Sequence, residues 1–83
     1  MKRYMVAGNL RKIQKKLDNA DSEINLALEM IADMNFDKLE GEDKSLTGIN
    51  ATIERLDNVF HDLIAIKHHF ETIADEMEIK AND

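Results

Sequence analysis

Three histidines, His61, His68 and His69, are the residues whose type invites chemistry, as metal ligands or proton carriers. Their spacing argues against a metal site. His61 and His68 stand seven apart, two helical turns and about 10 Å along a helix axis. Two ligands on one helix normally stand four apart. His68 and His69 are consecutive and point about 100° away from each other. No Glu-x-x-His sequence occurs, which removes the di-iron pattern of helical bundles. Asp57 lies four before His61 and would pair with it on a helix surface. These histidines therefore read as surface or partner-facing groups. No metal ligand and no cofactor site is assigned.

Nucleophilic and phosphate chemistry lack support as well. Ser22 and Ser45 read as cap or turn residues, with no strand-to-helix elbow around either. Gly8, Gly41 and Gly48 are scattered singly, so no phosphate-cradling loop exists. The abundant carboxylates fall on helix surfaces, where solvation is their ordinary role. No catalytic residue is assigned, and the chain does not read as an enzyme.

The elements that would carry these residues are legible from hydrophobic spacing. One seam runs Val6, Leu10, Ile13, Leu17, Ala20, Ile24, Ala27, Ile31, Met34, in steps of three or four. A second runs Leu46, Ile49, Ile53, Leu56, Phe60, Leu63, Lys67, Phe70, Ala74, Met77, with Lys67 as its polar break. Such seams specify long amphipathic helices. The spacing predicts an all-α single domain, an antiparallel hairpin of two helices over about 5–35 and 45–79, joined by a turn over about 36–44. Asp18, Asn19, Asp21 and Ser22 are poor helix formers, yet the register continues across them, so the first helix is read as unbroken. In the turn, Asp37 and Glu40 have capping-box spacing. Gly41 would close a single helical turn there, and Phe36 and Leu39 would plug the end of the pair. Ser45 or Thr47 would cap the second helix, and residues 81–83 would fray.

The apolar stripe is wider than a two-stranded seam needs. Leu28 and Met30 flank the first seam, and Val59, Ile66 and Ile73 repeat every seven residues beside the second, joined by Ile64. Leaving this surface in water promotes association, since each leucine-sized side chain gains about 1.5–3 kcal/mol on burial. A second layer is expected: a coiled-coil-like four-helix bundle, formed as a homodimer or with a heteromeric helical partner. Leu28, Met30, Val59, Ile66, Lys67 and Ile73 are the candidate partner-binding residues. Lys67 either snorkels to an acid on a neighbour or sets register and partner choice. The five methionines fill the core or give an adaptable contact surface.

Composition narrows the classes further. With 83 residues and no cysteine, the chain has a small core and no disulfide staple. Net charge is −6, which argues against general nucleic-acid binding. Charge is also segregated. Residues 1–17 carry six bases and no acid, whereas residues 18–83 carry 17 acids against five bases. Antiparallel helices would bring the basic start, Arg11-Lys12 and Lys15-Lys16, beside the acidic end, Glu71, Asp75, Glu76 and Glu78. The alternative use of this basic patch is to meet an acidic partner or nucleic acid. No membrane-length apolar stretch and no signal peptide is seen, so a cytoplasmic location is expected, with leaderless export open.

In length, helix–turn–helix layout and lack of a signal, the chain resembles the WXG100-type small helical proteins exported by type VII secretion. Phe70-Glu71-Thr72-Ile73-Ala74-Asp75-Glu76-Met77-Glu78 is similar in style to the end of their second helix. The Trp-x-Gly turn of that family is absent: the chain has no tryptophan, and its turn reads Phe36-Asp37-Lys38-Leu39-Glu40-Gly41. No functional residues carry over. The resemblance implies a non-enzymatic hairpin that pairs with another helical protein. The sequence therefore points to a non-catalytic protein–protein interaction module. The competing reading is a small acidic inhibitor from a mobile element, imitating nucleic-acid charge to bind a host protein.

Overall fold

A computed structural model describes residues 2–81. The order of elements is α1 (Arg3–Asp33), α2 (Phe36–Glu42), a 3-10 turn (Lys44–Leu46) and α3 (Ile49–Ala81). It is 92% helical, with no strand among the described residues. The all-α expectation holds, but the count of two helices is corrected to three. The segment expected to be a turn folds into α2 and the 3-10 turn, and α3 begins at Ile49. The end of α3 at Ala81 lies beyond the expected boundary, and the fraying expected at residues 82 and 83 falls outside the described residues.

α1 continues through Asp18–Ser22 without a break. Poor helix formers cost only fractions of a kcal/mol each, and Leu17 and Ile24 on either side stay half-buried. The chain leaves α1 at Asn35, whose φ of 49° is left-handed. Asparagine tolerates that region better than other L-residues. Gly48, at φ 85°, makes the second reversal and launches α3.

The caps differ from those the sequence suggested. Ser45 donates its backbone N–H to Asp43 Oδ1 at 2.9 Å. Thr47 Oγ1 donates to the Lys44 carbonyl at 2.7 Å. Both therefore close the 3-10 turn rather than α3. Glu40 serves α3 instead: Oε1 accepts from the Asn50 N–H at 3.4 Å, and Oε2 accepts from Asn50 Nδ2 at 2.9 Å. A carboxylate at the start of a helix satisfies orphan donors and suits the positive end of the macrodipole. The Asp37–Glu40 capping box does not form, because α2 starts from Asn35 with no side-chain cap. Gly41 sits inside α2 rather than closing a turn. Phe36 and Leu39 are half-buried at this end.

α1 and α3 lie antiparallel, since Arg11 reaches Asp75 and Glu78 while Lys67 reaches Asp18 and Asp21. The α3 seam is as the spacing predicted, half-buried at every step from Ile49 to Met77 except Ala74, which is buried. The α1 seam is not. Leu10, Leu17, Ile24 and Ile31 face α3, but the alternating line is Ala7, Gln14, Asp21 and Leu28. Ile13, Ala20 and Met34, expected inside, are exposed, and Val6 and Ala27 sit at the edge. Apolar count alone favoured the wrong line, because it could not weigh what Lys67 requires across the seam.

The result is a rod rather than a ball. Its Cα extents are 63 × 16 × 16 Å and its radius of gyration is 18.5 Å, against about 12 Å for a compact chain of this length. Among the described residues only Ala7 and Ala74 are buried, and no large side chain is fully covered. The exposed area is 6412 Å², roughly 1,300 Å² more than the approximately 5,100 Å² expected of a monomeric globular protein of this mass.

Ile24→Asp and Leu56→Asp each place a charge in this thin seam without a partner. Each should cost about 3 kcal/mol or more and abolish the cooperative helical melt followed by circular dichroism. Glu29→Ala, on the outer face, should change stability by no more than about 0.5 kcal/mol. A parent-like melt in both seam variants would refute the seam assignment.

Candidate interaction surface

The seam divides the antiparallel pair into two flanks. At about 100° per residue, Arg11 and Asp18 lie roughly 70° to one side of the α1 midline, and Ile13 and Ala20 roughly 70° to the other. On α3, Ile64, Glu71 and Glu78 lie on one side, and Val59, Ile66 and Ile73 on the other. Because the helices run antiparallel, the Arg11 side of α1 adjoins the Glu78 side of α3. The two remaining sides must then share the opposite flank.

The first flank is ionic, and Arg11 and Lys67 bridge the two helices across it. Arg11 Nε and Nη2 donate to Glu78 Oε1 and Oε2 at 3.1 and 3.0 Å, a bidentate pairing, and Nη2 also donates to Asp75. Bidentate geometry is the favourable form of an exposed ion pair. The Arg11 hydrogen bond holds the Glu78 carboxyl below its ordinary pKa. Hydrogen bonding to Asn50 does the same for Glu40. Further along, Lys67 Nζ donates to Asp18 Oδ1 at 2.8 Å and Asp21 Oδ2 at 3.1 Å. The side chains of Lys67 and Asp21 are only 20% and 17% exposed. Donating hydrogen bonds to Asp18 and Asp21 raises the lysine's pKa, overcoming its partial burial. Lys67 therefore reaches acids on the neighbouring helix, one of the two roles its seam position suggested. The basic start and acidic end of the chain meet here, as the charge segregation anticipated. Asp21 Oδ1 is buried without a hydrogen-bond partner.

The histidines add no chemistry to this flank. His61 Nε2 lies 3.5 Å from Asp57 Oδ2, four residues back on the same helix face. Its ring meets Phe60 edge-on at 5.7 Å. His68 Nδ1 stands 4.0 Å from Glu71. Among the described residues, no three His, Asp or Glu side chains gather into a metal-holding group.

The second flank is apolar and open. Its α1 line is Val6, Ile13, Ala20, Ala27 and Met34, and its α3 line is Val59, Ile66 and Ile73. Ile13 is 41%, Ile66 47% and Val59 52% exposed. Charged and polar residues rim it: Lys16 and Glu23 on α1, and Arg55, Asp62, His69 and Glu76 on α3. None of these six makes an ion pair among the described residues, in contrast to the first flank.

The six residues singled out from sequence distribute unevenly. Val59, Ile66 and the half-buried Ile73 share the apolar flank. Met30, 69% exposed, stands just outside it. Leu28 and Lys67 lie within the seam itself. Sequence reasoning missed Ile13, Ala20 and Met34 as surface residues, having placed them inside. Their seven-residue spacing was the available signal, but the same spacing described a seam equally well. No helix among the described residues is long and apolar enough to cross a membrane. Compared with known proteins, the chain matches no family model, no curated protein and no solved structure.

Two predictions follow from the ionic flank. Lys67→Ala leaves Asp21 without its cation in the seam and should lower the Tm by at least about 4 °C. Adding Asp21→Leu to a Lys67→Leu variant should recover most of that loss. A parent-like melt of Lys67→Ala would show that the cluster contributes nothing. Glu40 and Glu78 hold their protons less tightly folded than unfolded. Their contribution is complete above the ordinary value of 4.5 and is lost as pH falls through the lower folded values. Tm should therefore decline with acid below about pH 4.5, and less steeply in Glu40→Gln.

Proposed function

We propose that this chain is a non-catalytic helical interaction module. In this reading α1 and α3 form an antiparallel hairpin. Its apolar flank is completed by further helices into a four-helix bundle, either from a second copy or from another helical protein. The observation that carries the reading is that no large side chain among the described residues is fully buried. A domain of this size needs all its apolar surface to remain folded. Here one whole flank stays in water, while ion pairs bridge the helices on the opposite flank. Exposed contiguous apolar surface of this kind marks interaction sites.

The acidic-inhibitor reading has less support. Asp18, Asp21, Asp75 and Glu78 are held by Lys67 and Arg11 rather than offered to a partner. An adaptor, assembly or secretion-partner role uses the apolar flank directly.

Light scattering over a range of concentrations tests the module. The parent should show a mass above its 9.5 kDa protomer and a Tm that rises with concentration. Val59→Glu combined with Ile66→Glu should keep the helical spectrum and reduce the mass to that of a monomer. A parent that is a stable monomer with a sharp melt would overturn the reading. So would a double variant that associates as the parent does.

A further inference from the structure

We infer that the apolar flank takes a second copy of this chain, related by a two-fold axis perpendicular to the helices that passes beside Ala20 and Ile66. This rests on the module reading and specifies its partner. In this arrangement α1 faces α1 of the second copy and α3 faces α3, both antiparallel.

Three observations support it. The first is charge on the rim. Turning α1 about Ala20 sets Lys16 against Glu23 of the second copy, and Glu23 against its Lys16. Turning α3 about Ile66 sets Arg55 against Glu76 and Asp62 against His69 of the second copy. Lys16, Glu23, Arg55, Asp62 and Glu76 make no ion pair among the described residues. The other two-fold arrangement, with its axis along the helices, opposes α1 to α3 at equal height. It would bring Glu23 against Asp62, two like charges. Opposed like charges of that kind exclude a pairing, while complementary rims select one.

The second observation is height. A single axis can act on both helices only if Ala20 and Ile66 lie at the same level along the rod. The ion pairs within the chain set that level: Arg11 stands beside Asp75, and Lys67 beside Asp18. The same offset places Ala20 level with Ile66. The apolar lines then mate along their length. Ile13 meets Ala27 of the second copy, Val59 meets Ile73, and Ile66 packs on its own counterpart.

The third is area. A standard protein interface buries about 800 Å² from each partner. The exposed surface of this rod exceeds that of a globular monomer by more than that amount.

The chain has no cysteine, so a single introduced thiol reports geometry without background. Ala20→Cys places two thiols across the proposed axis, within the roughly 4.4–6.8 Å Cα separation that a disulfide spans. In a glutathione redox buffer it should convert mostly to a covalent dimer, whereas Ala32→Cys on the ionic flank should not. Lys16→Glu should weaken the dimer about tenfold by sedimentation, and adding Glu23→Lys should restore it to within about threefold. Suppose the parent associates, Ala20→Cys stays unlinked, and a mixture of Ala20→Cys with Ile66→Cys cross-links. The axis then runs along the helices: this inference fails and the module stands. A parent that remains monomeric overturns both.

Discussion

A lysine ammonium placed in a helix–helix seam must meet a carboxylate, and Lys67 meets two. Its position on α3 is one at which every neighbouring step is apolar or alanine. Its charge cannot be left there unpaired, because an uncompensated ion in a partly dry interface costs several kcal/mol. Asp21 answers from α1, with Asp18 beside it. That requirement sets the rotation of α1. Once Asp21 turns inward, Ala7, Gln14 and Leu28 turn inward with it, and the line of Val6, Ile13, Ala20, Ala27 and Met34 moves to the edge. The same contact, with Arg11 on Asp75 and Glu78, sets how far the helices slide along each other.

This rotation divides the molecule by chemistry. One flank gathers the ion pairs, and they are intramolecular. The other gathers apolar side chains that the chain cannot cover itself. A rod in which, among the described residues, only two alanines are buried has little hydrophobic surplus to set against chain entropy. Among the described residues, the acids and bases that rim the open flank make no ion pair, while Arg11 and Lys67 bridge the two helices on the other flank. A surface that is both apolar and flanked by unmatched charges of both signs suits recognition better than solvation, and that contrast supports the interaction role proposed above.

The junction between α1 and α3 shows a second case of tertiary contact overriding local preference. Glu40 was placed by sequence in a capping box with Asp37, a contact three residues long. In the structure it reaches Asn50, ten residues on, and caps a different helix. The local arrangement would have served α2, a short helix. The distant one serves the first turn of α3, where several backbone donors of a 33-residue helix are otherwise unmatched. Ser45 and Thr47 were then free to close the 3-10 turn.

Period and composition alone determined that the chain is helical, that α1 runs unbroken through Asp18–Ser22, and which face of α3 turns inward. These are properties of one helix at a time, carried by spacing at three and four residues. The pairing of the basic start with the acidic end was legible too, because charge segregation is a property of the whole chain. Which of two adjacent lines on α1 enters the seam was decided only by the tertiary structure. Both lines share Leu10, Leu17, Ile24 and Ile31, and a count of apolar residues prefers Ile13 and Ala20 over Gln14 and Asp21. The preference reverses once Lys67 sits opposite, because the cost of an unpaired ammonium outweighs the burial of one isoleucine and one alanine. That opposing residue lies 46 positions away from Asp21, beyond what a pattern read along one helix can register.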